Sequence, residues 1–313
     1  VDKPSPKDDE LLIRIHATTV TAGDCEMRSL KIPLLLRLPM RAYVGFSKPQ
    51  RLTILGQELA GEIEAVGTRV SRFRVGDAVF AATGFRLGAY AEYICLPEAS
   101  DDAVVAAMPP NLSYEQAAAV PVAGLEALYF LRKGNIRPGQ RVLIIGAGGS
   151  IGSFSVQLAR HYGARVTAVD VAAKLGMLQR IGAEEVIDYT REDFTRHGAE
   201  YDVVFDVVGK TAYSRSMSLL KPTGHYLLGN AGLTRALRAR WTSRTGGTTV
   251  VTGTATFKTE DLVFLKELIE AGEITPVIDR SYPLEMTAEA HRYVETGQKQ
   301  GNVVISVAQH EKA

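Results

Sequence analysis

Residues 141–170 read RVLIIGAGGSIGSFSVQLARHYGARVTAVD. The run from Val142 to Ile145 is apolar and β-branched, too short for a helix, and is followed at once by glycines, which indicates a buried strand entering a tight turn. Apolar residues then recur at helical spacing, at Ile151, Phe154, Leu158 and Tyr162. We therefore predict a helix over 150–163 and a second strand over 165–170, which together form a βαβ unit.

The glycines between the first strand and the helix form an imperfect GxGxxG pattern. Counting back from Gly152 gives Gly149 and Ala147, so alanine holds the first glycine place. The context strengthens the match, because Asp170 lies 18 residues after Gly152 and the turn joins a strand to a helix. Such a turn can hold a pyrophosphate on backbone N–H groups. A glycine-rich connection without a ligand is the alternative. The candidate pyrophosphate-binding residues are Ala147, Gly148, Gly149, Ser150, Ile151 and Gly152.

Composition excludes several functional classes. The 313 residues carry 36 Lys and Arg against 35 Asp and Glu, so there is no electrostatic case for a nucleic-acid or anionic-membrane partner. No apolar stretch reaches membrane-spanning length, and no signal-peptide pattern opens the chain. The two cysteines, Cys25 and Cys95, are typical of a reducing cytosol. We expect a cytoplasmic protein whose native N-terminus lies upstream, because the chain starts without Met on polar residues.

The first third of the chain is rich in short strands. Residues 10–19 alternate as a strand with one wet face, on which His16 is expected as a surface histidine. A turn is predicted at 21–24 and an irregular loop at 29–55. Glycines then punctuate β-branched runs over 56–81, and a further strand is expected at 88–96. Several strands without intervening helices predict a compact β-barrel-like domain.

From Ser113, a predicted N-cap, the chain becomes helical to residue 133. Strands and helices then alternate, which predicts a doubly wound parallel sheet of about six strands. The predicted strands outside the central unit are 186–187, 203–208, 226–228 and 249–252, and the predicted helices are 172–181, 211–220, 259–271 and 287–296. The final strand, 301–307, has no such partner and is predicted to return to the first domain.

Taken together, these residues resemble the zinc-free medium-chain dehydrogenase/reductases of the quinone oxidoreductase, or ζ-crystallin-like, group. The resemblance covers essentially the whole chain. It is carried by VTAGDCEMR (20–28), LGQELAGEIEAVGTRVSRFRVGDAVFA (55–81), GAYAEY (88–93), AAAVPVAGLEAL (117–128), VLIIGAGGSIG (142–152), IGAEEVIDYTREDF (181–194), YDVVFDVVG (201–209) and GNVVISV (301–307).

The resemblance implies an α/β fold, with a Rossmann doubly wound parallel sheet inserted in a GroES-like β-barrel domain. The GroES-like substrate domain would comprise 1–118 plus 258–313, and the Rossmann domain 119–257. The implied activity is hydride transfer from NAD(P)H to a quinone or an α,β-unsaturated carbonyl. A homodimer paired through the edge strand near 249–255 is expected, because an uncovered β-branched edge is a liability.

No metal is expected. Zinc-dependent relatives carry cysteine and histidine at the places held here by Thr21 and Gln57. A hydroxyl and an amide are poor zinc ligands beside thiolate and imidazole. The nearest cysteine, Cys25, is four residues from the matching place.

The cofactor preference is expected to lean toward NADH, with NADPH also usable. Asp170 can accept hydrogen bonds from the adenosine ribose diol and would repel a 2′-phosphate. Lys174 is either a phosphate contact or a solvated lysine, and Tyr189 matches a tyrosine that lines the adenosine site in relatives. Glycine turns after two further strands complete the candidate cofactor residues: Gly209, Gly229, Asn230 and Ala231.

Three residues are candidates for the proton chemistry. Glu126 stands where relatives often carry threonine, and is either a hydrogen-bonding glutamate or an acid in a proton relay. Tyr43 lies in the loop that covers the substrate pocket in relatives, and Thr21 belongs to a motif that borders the nicotinamide. In that motif Asp24 and Arg28 could instead form a structural ion pair. A non-catalytic NAD(P)H-binding protein and a zinc-independent alcohol dehydrogenase are the alternative functions.

Overall fold

The computed structural model describes residues 1–29, 54–100, 102–196, 198–230 and 247–307. The chain divides into two compact units, one of residues 1–122, 257–270 and 276–313 and the other of residues 123–256 and 271–275. The first division thus lies four residues beyond the boundary expected at 118/119. In the described ranges, no helix is both long and apolar enough to cross a membrane.

The first unit is built on a sheet of seven strands within the described residues. They are β1 (Glu10–Val20), β2 (Glu58–Val66), β3 (Ala78–Ala82), β4 (Tyr93–Pro97), β5 (Val104–Ala107), β12 (Ile278–Pro283) and β13 (Asn302–Ser306). The order is β12-β13-β1-β2-β3-β5, and β4 also pairs with β1. Strand β13 runs antiparallel to β1, with Ala17 opposite Ser306. The prediction that the last strand returns to the first domain is therefore confirmed.

Strand β1 does not have the wet face that its alternation predicts. Leu11, Ile13 and Ile15 are fully buried, and Leu12 on the opposite face is only 4% exposed. The predicted polar face is only partly exposed, because Arg14 and His16 are half-buried and Tyr114 packs on this face of the strand. His16 is likewise not a surface histidine, since it is half-buried with its ring stacked on Tyr114 at a centroid distance of 4.1 Å.

Four α-helices of the first unit lie in the described ranges. They are α1 (Ala22–Ser29), α2 (Tyr114–Ala118), α7 (Thr259–Glu270) and α8 (Thr287–Glu295). Helix α1 replaces the turn predicted at 21–24, because the Thr21 hydroxyl accepts the Asp24 N–H and so caps a helix. Ser113 is an N-cap as predicted, and its capping box with Gln116 is complete.

In the part of the second unit that the structure describes, six strands form a parallel sheet, as the sequence predicts. Its strands are β6 (Arg141–Ile145), β7 (Arg165–Asp170), β8 (Glu185–Asp188), β9 (Tyr201–Asp206), β10 (Leu220–Leu228) and β11 (Thr249–Thr252). The order is β11-β10-β9-β6-β7-β8. The helices that accompany the sheet are α3 (Pro121–Lys133), α4 (Ser150–His161), α5 (Ala172–Arg180) and α6 (Tyr213–Met217).

Two helix predictions needed adjustment. The stretch predicted as one helix over 113–133 splits into α2 and α3, because Pro121 takes the first position of a new helix, where its missing N–H costs nothing. Helix α6 is shorter than the predicted 211–220, because β10 already begins at Leu220. Since all six strands are parallel, their carboxyl ends lie at one edge of the sheet, where ligands bind in open α/β folds.

Candidate functional site

The glycine turn at the end of β6 folds back on the neighbouring strand. Gly146 takes the left-handed conformation, with φ +79°, and the N–H groups of Gly146 and Ala147 both donate to the Val169 carbonyl. A Cβ on Gly152 would overlap the Gly146 carbonyl oxygen and lie 2.6 Å from the Ala147 backbone. Position 152, in the first turn of α4, therefore requires glycine. The N–H groups of this first turn have no carbonyl partner inside the helix.

A buried ion pair closes on this turn. The Asp170 carboxylate accepts the N–H of Gly148 through Oδ2 and that of Val171 through Oδ1, both at 2.8 Å. Lys174 Nζ lies 3.4 Å from Asp170 Oδ1, and both side chains are less than a tenth exposed. A Cβ on Gly148 would overlap the Lys174 side chain. Lys174 is therefore not the solvated lysine that was one of the two expectations.

Strand β8 ends directly beside Asp170. Asp188 is its register partner across the two parallel strands, and it is only 7% exposed. The next residue, Tyr189, is 53% exposed, and its N–H donates to the Asp170 carbonyl at 3.3 Å. Sequence reasoning missed Asp188, although an acid at the end of a predicted strand was a usable signal.

The ends of β9 and β10 meet through Asp206, which sequence reasoning also missed. Its carboxylate accepts the Gly209 N–H at 2.7 Å, and its carbonyl accepts the Gly229 N–H at 3.0 Å. The Val208 side chain packs so closely on Gly146 that a Cβ added at Gly146 would overlap this side chain. The candidates Gly209 and Gly229 are thus brought to the glycine turn. Asn230 is exposed, and Ala231 lies outside the described residues.

Glu126 lies on α3 and is mostly buried. Burial alone raises its pKa to about 7. It forms no hydrogen bond or ion pair with any residue that the structure describes. The carboxyl group of Glu126 therefore binds a proton more readily than an ordinary glutamate does.

Thr21 and Asp24, in the first unit, are joined by hydrogen bonds. The Thr21 hydroxyl donates to Asp24 Oδ2 at 2.7 Å, and the same oxygen accepts the Thr21 N–H at 2.9 Å. Asp24 is fully buried, and burial raises its pKa. The alternative of an ion pair between Asp24 and Arg28 was wrong, because Arg28 instead contacts Glu295 at 2.8 Å. Tyr43 lies outside the described residues.

A second buried carboxyl group lies in the same unit. Glu58 is completely buried; it accepts hydrogen bonds from the Thr19 hydroxyl and, at 2.7 Å, from the Val122 N–H. Burial raises its pKa to about 7. The Tyr90 hydroxyl is also buried, and burial together with the nearby Asp24 carboxylate raises the pKa of Tyr90 well above its ordinary value.

The residues at the place of the zinc ligands in related enzymes do not fit a zinc centre. A Cβ on Gly23 would lie 2.9 Å from Gln57 Nε2 and 3.4 Å from Thr21 Oγ1, so an amide and a hydroxyl meet there. The nearby Cys25 thiol instead contacts His291 Nδ1 at 3.4 Å, and burial raises its pKa to about 11. Zinc binds thiolate, not thiol. Among the described residues, no group of three or more His, Cys, Asp or Glu could hold a metal ion.

Comparison with known proteins identifies the family. Residues 7–110 match the alcohol dehydrogenase GroES-like domain, and residues 181–305 match the profile described as zinc-binding dehydrogenase. The chain is 32% identical over 313 residues to the 2-methylene-furan-3-one reductase of Solanum lycopersicum, covering 96% of this chain and 73% of the relative. It is 34% identical over 268 residues to the quinone oxidoreductase of Pseudomonas aeruginosa, covering 80% and 81%.

Solved structures agree with the sequence relatives. The quinone oxidoreductase from Coxiella burnetii superposes with a TM-score of 0.86 at 28% identity, over 98% of this chain and 93% of that one. The Escherichia coli quinone oxidoreductase complexed with NADPH gives 0.80 at 27% identity, over 98% and 94%. The present chain, with its inserted six-stranded sheet and its glycine turn, belongs to the medium-chain dehydrogenase/reductase family, in the quinone oxidoreductase group.

Proposed function

We propose that this protein is an NAD(P)H-dependent oxidoreductase that reduces quinones or α,β-unsaturated carbonyl compounds. The observation that carries the proposal is the glycine turn at 146–152, closed on the start of α4 and joined to Asp170 at the end of β7. Relatives are named quinone oxidoreductase and NADPH-dependent alkenal/one oxidoreductase, and this chain shares their family.

Each part of the site suits one part of a nicotinamide dinucleotide. The backbone of 147–152 would hold the pyrophosphate at the N-terminus of α4. Asp170 would accept hydrogen bonds from the hydroxyls of the adenosine ribose, and Tyr189 would lie beside the adenosine. The turns after β9 and β10 would line the nicotinamide half. These residues are Gly209, Gly229, Asn230 and Ala231.

NADH is the preferred cofactor in this scheme. Asp170 presents a carboxylate where NADPH would place a 2′-phosphate, and like charges repel. Lys174, which could have offset that repulsion, pairs with Asp170 itself at 3.4 Å. The names of two relatives mention NADPH, so fluorescence titration of both cofactors is the direct test; tighter binding of NADPH would refute the preference.

Reduced nicotinamide supplies a hydride, and the protein must stabilise the negative charge that then develops on the substrate oxygen. Thr21, Tyr43 and Glu126 are the proposed proton donors. Of these, Glu126 is best suited to donate a proton, because with a pKa of about 7 its carboxyl group is protonated in about half of the molecules at neutral pH. The Thr21 hydroxyl already donates to Asp24, so Thr21 would act by orienting the substrate or by exchanging this bond.

The reaction is proposed to proceed without zinc. A conjugated carbonyl accepts hydride at its β-carbon without a Lewis acid, because hydroxyl or carboxylic donors can stabilise the charge on oxygen. Thr21 and Gln57 offer no thiolate or imidazole to a metal. Elemental analysis of active protein tests this point, and one zinc per chain that is required for activity would contradict it.

A homodimer is proposed to form through β11. This strand is at the edge of the parallel sheet, and its residues are exposed or half-buried. Pairing with a second copy would cover the open edge. Light scattering at micromolar concentration should give twice the chain mass, whereas a monomeric mass would exclude the dimer.

A cytosolic location is also proposed. The two cysteines, Cys25 and Cys95, are both free, which is typical of a reducing compartment.

Steady-state oxidation of NADH, followed by absorbance, tests the activity. We expect consumption that depends on enzyme and on an added enone or quinone. Tight NADH binding without turnover would instead identify a binding protein. Fast oxidation of simple alcohols without enone reduction would identify an alcohol dehydrogenase.

A further inference from the structure

Residues 188–196, DYTREDFTR, contain two copies of the pattern Asp-aromatic-Thr-Arg. Both copies fold alike. Asp188 Oδ1 accepts the N–H and the hydroxyl of Thr190 at 2.9 and 2.6 Å, and Asp193 Oδ1 accepts the same groups of Thr195 at 3.1 and 2.6 Å. In each copy the arginine three residues on pairs with the aspartate, at 3.5 and 3.3 Å.

The two copies differ in where they lie. Asp188 is the last residue of β8, in register with Asp170, and its side chain is 8% exposed, against 36% for Asp193. Asp188 Oδ2 has no hydrogen bond among the described residues. Hydrogen bonding from Thr190 lowers the pKa of Asp188, and the backbone N–H of Ala172 adds to this effect. The first copy therefore places a buried carboxylate at the start of α5.

The start of α5 thus accommodates two carboxylates of the protein. Asp170 accepts the N–H of Val171, the N-cap residue of α5, and Asp188 stands in register with Asp170 at the end of the neighbouring strand. Each acid has its own cation, since Lys174 pairs with Asp170 and Arg191 with Asp188. The positive end of this helix, which would otherwise attract a phosphate, is already compensated.

We propose that Asp188 is a second cofactor-specificity residue, which acts with Asp170 to disfavour a ribose 2′-phosphate. The inference rests on the proposed function, because it concerns the adenosine end of the same dinucleotide site. A 2′-phosphate brings about two negative charges toward a carboxylate that is shielded from water, and repulsion is strongest in such surroundings. Arg191 pairs with Asp188 at 3.5 Å but is 80% exposed, so it offsets this charge only in part.

The sequence provides its own matched control. Asp188→Asn and Asp193→Asn each remove one carboxylate from the same kind of turn and leave an amide oxygen to accept the threonine groups. We expect Asp188→Asn to tighten NADPH binding by about tenfold and to change NADH binding by less than about twofold. Asp193→Asn should leave the ratio of the two dissociation constants within about twofold. Both constants are measured by cofactor fluorescence at fixed ionic strength, with circular dichroism to show that each variant is folded.

A second pair of variants tests the same idea in the opposite direction. Arg191→Gln leaves Asp188 without its cation, so NADPH binding should weaken several-fold relative to NADH, whereas Arg196→Gln should not change the ratio. An unchanged ratio in both Asp188→Asn and Arg191→Gln overturns the proposal. An equal shift in the Asp193 and Arg196 variants does so too, because the effect would then be one of net charge. Wild-type protein that binds neither dinucleotide would instead refute the proposed function.

Discussion

Glu126→Gln tests the proton chemistry most sharply. The substitution keeps the shape of the side chain but removes its ability to give up a proton. Burial alone raises the pKa of Glu126 to about 7, from an ordinary value near 4.5. At pH 7 about half of the wild-type side chains are therefore protonated, against about 1 in 300 for an ordinary glutamate. A residue in this state can serve as a general acid at neutral pH.

The expected result is a change in the shape of the pH profile. In the wild type, kcat for an enone should fall about tenfold per pH unit above about pH 7, because the acid form of Glu126 is lost. In Glu126→Gln that fall should disappear, and kcat at pH 6 should drop by roughly 100-fold or more. Affinity for NADH should change little. The assay is steady-state NADH oxidation from pH 5.5 to 9.

Glu58→Gln is the matched control, because Glu58 is also buried with a pKa of about 7 but lies in the other unit. It should retain the fall above pH 7. A wild-type profile that is unchanged in Glu126→Gln, or one that is lost in Glu58→Gln, would refute the reasoning.

Three further predictions concern the donors, the buried acid and the glycine turn. Thr21→Val and Tyr43→Phe should each lower kcat by roughly 10- to 1000-fold if these hydroxyls stabilise the developing oxyanion, with NADH affinity unchanged; two unaltered rates would exclude both. Because the folded-state pKa of Glu58 is raised to about 7, its contribution to stability declines by about 3 kcal/mol as pH rises from about 4.5 to 7. The decline measured by urea unfolding should be smaller by about this amount in Glu58→Gln than in the wild type, and equal declines would contradict the assignment. Gly152→Ala should weaken NADH binding at least about tenfold, because the new Cβ would lie 2.6 Å from the Ala147 backbone. Gly176→Ala is the control, because its Cβ would contact Arg180 at 3.6 Å; it should bind NADH normally, and its free energy of unfolding should change by no more than about 1 kcal/mol.

The second unit could be predicted closely from the sequence because its determinants are local. Buried parallel strands appear as short β-branched runs, their helices show a 3.6-residue period, and glycines mark the turns. The turn at 146–152 and Asp170 were found in this way. The final strand does not belong to the alternating pattern of strands and helices, and it was therefore predicted to return to the first domain. Strand β13 does pair with β1.

The first unit was predicted less well because its determinants lie far apart in the chain. Alternation along β1 suggested one wet face, but that face is only partly exposed, because Tyr114, about a hundred residues away in the chain, stacks on His16. The contact between Cys25 and His291 joins residues 266 positions apart, and no local pattern indicates it. The same is true of Glu58, whose partner Val122 is 64 residues away. Its raised pKa therefore could not be foreseen.

Transfer of deuterium from NADH to an enone tests the central claim most directly. NADH that carries deuterium at both C4 positions is mixed with the protein and a simple acyclic enone, and the product is analysed by mass spectrometry and NMR. The account predicts a saturated ketone that carries one deuterium at its β-carbon, formed in step with NADH oxidation, from protein without bound zinc. A product without deuterium, or NADH bound but not consumed, would contradict it.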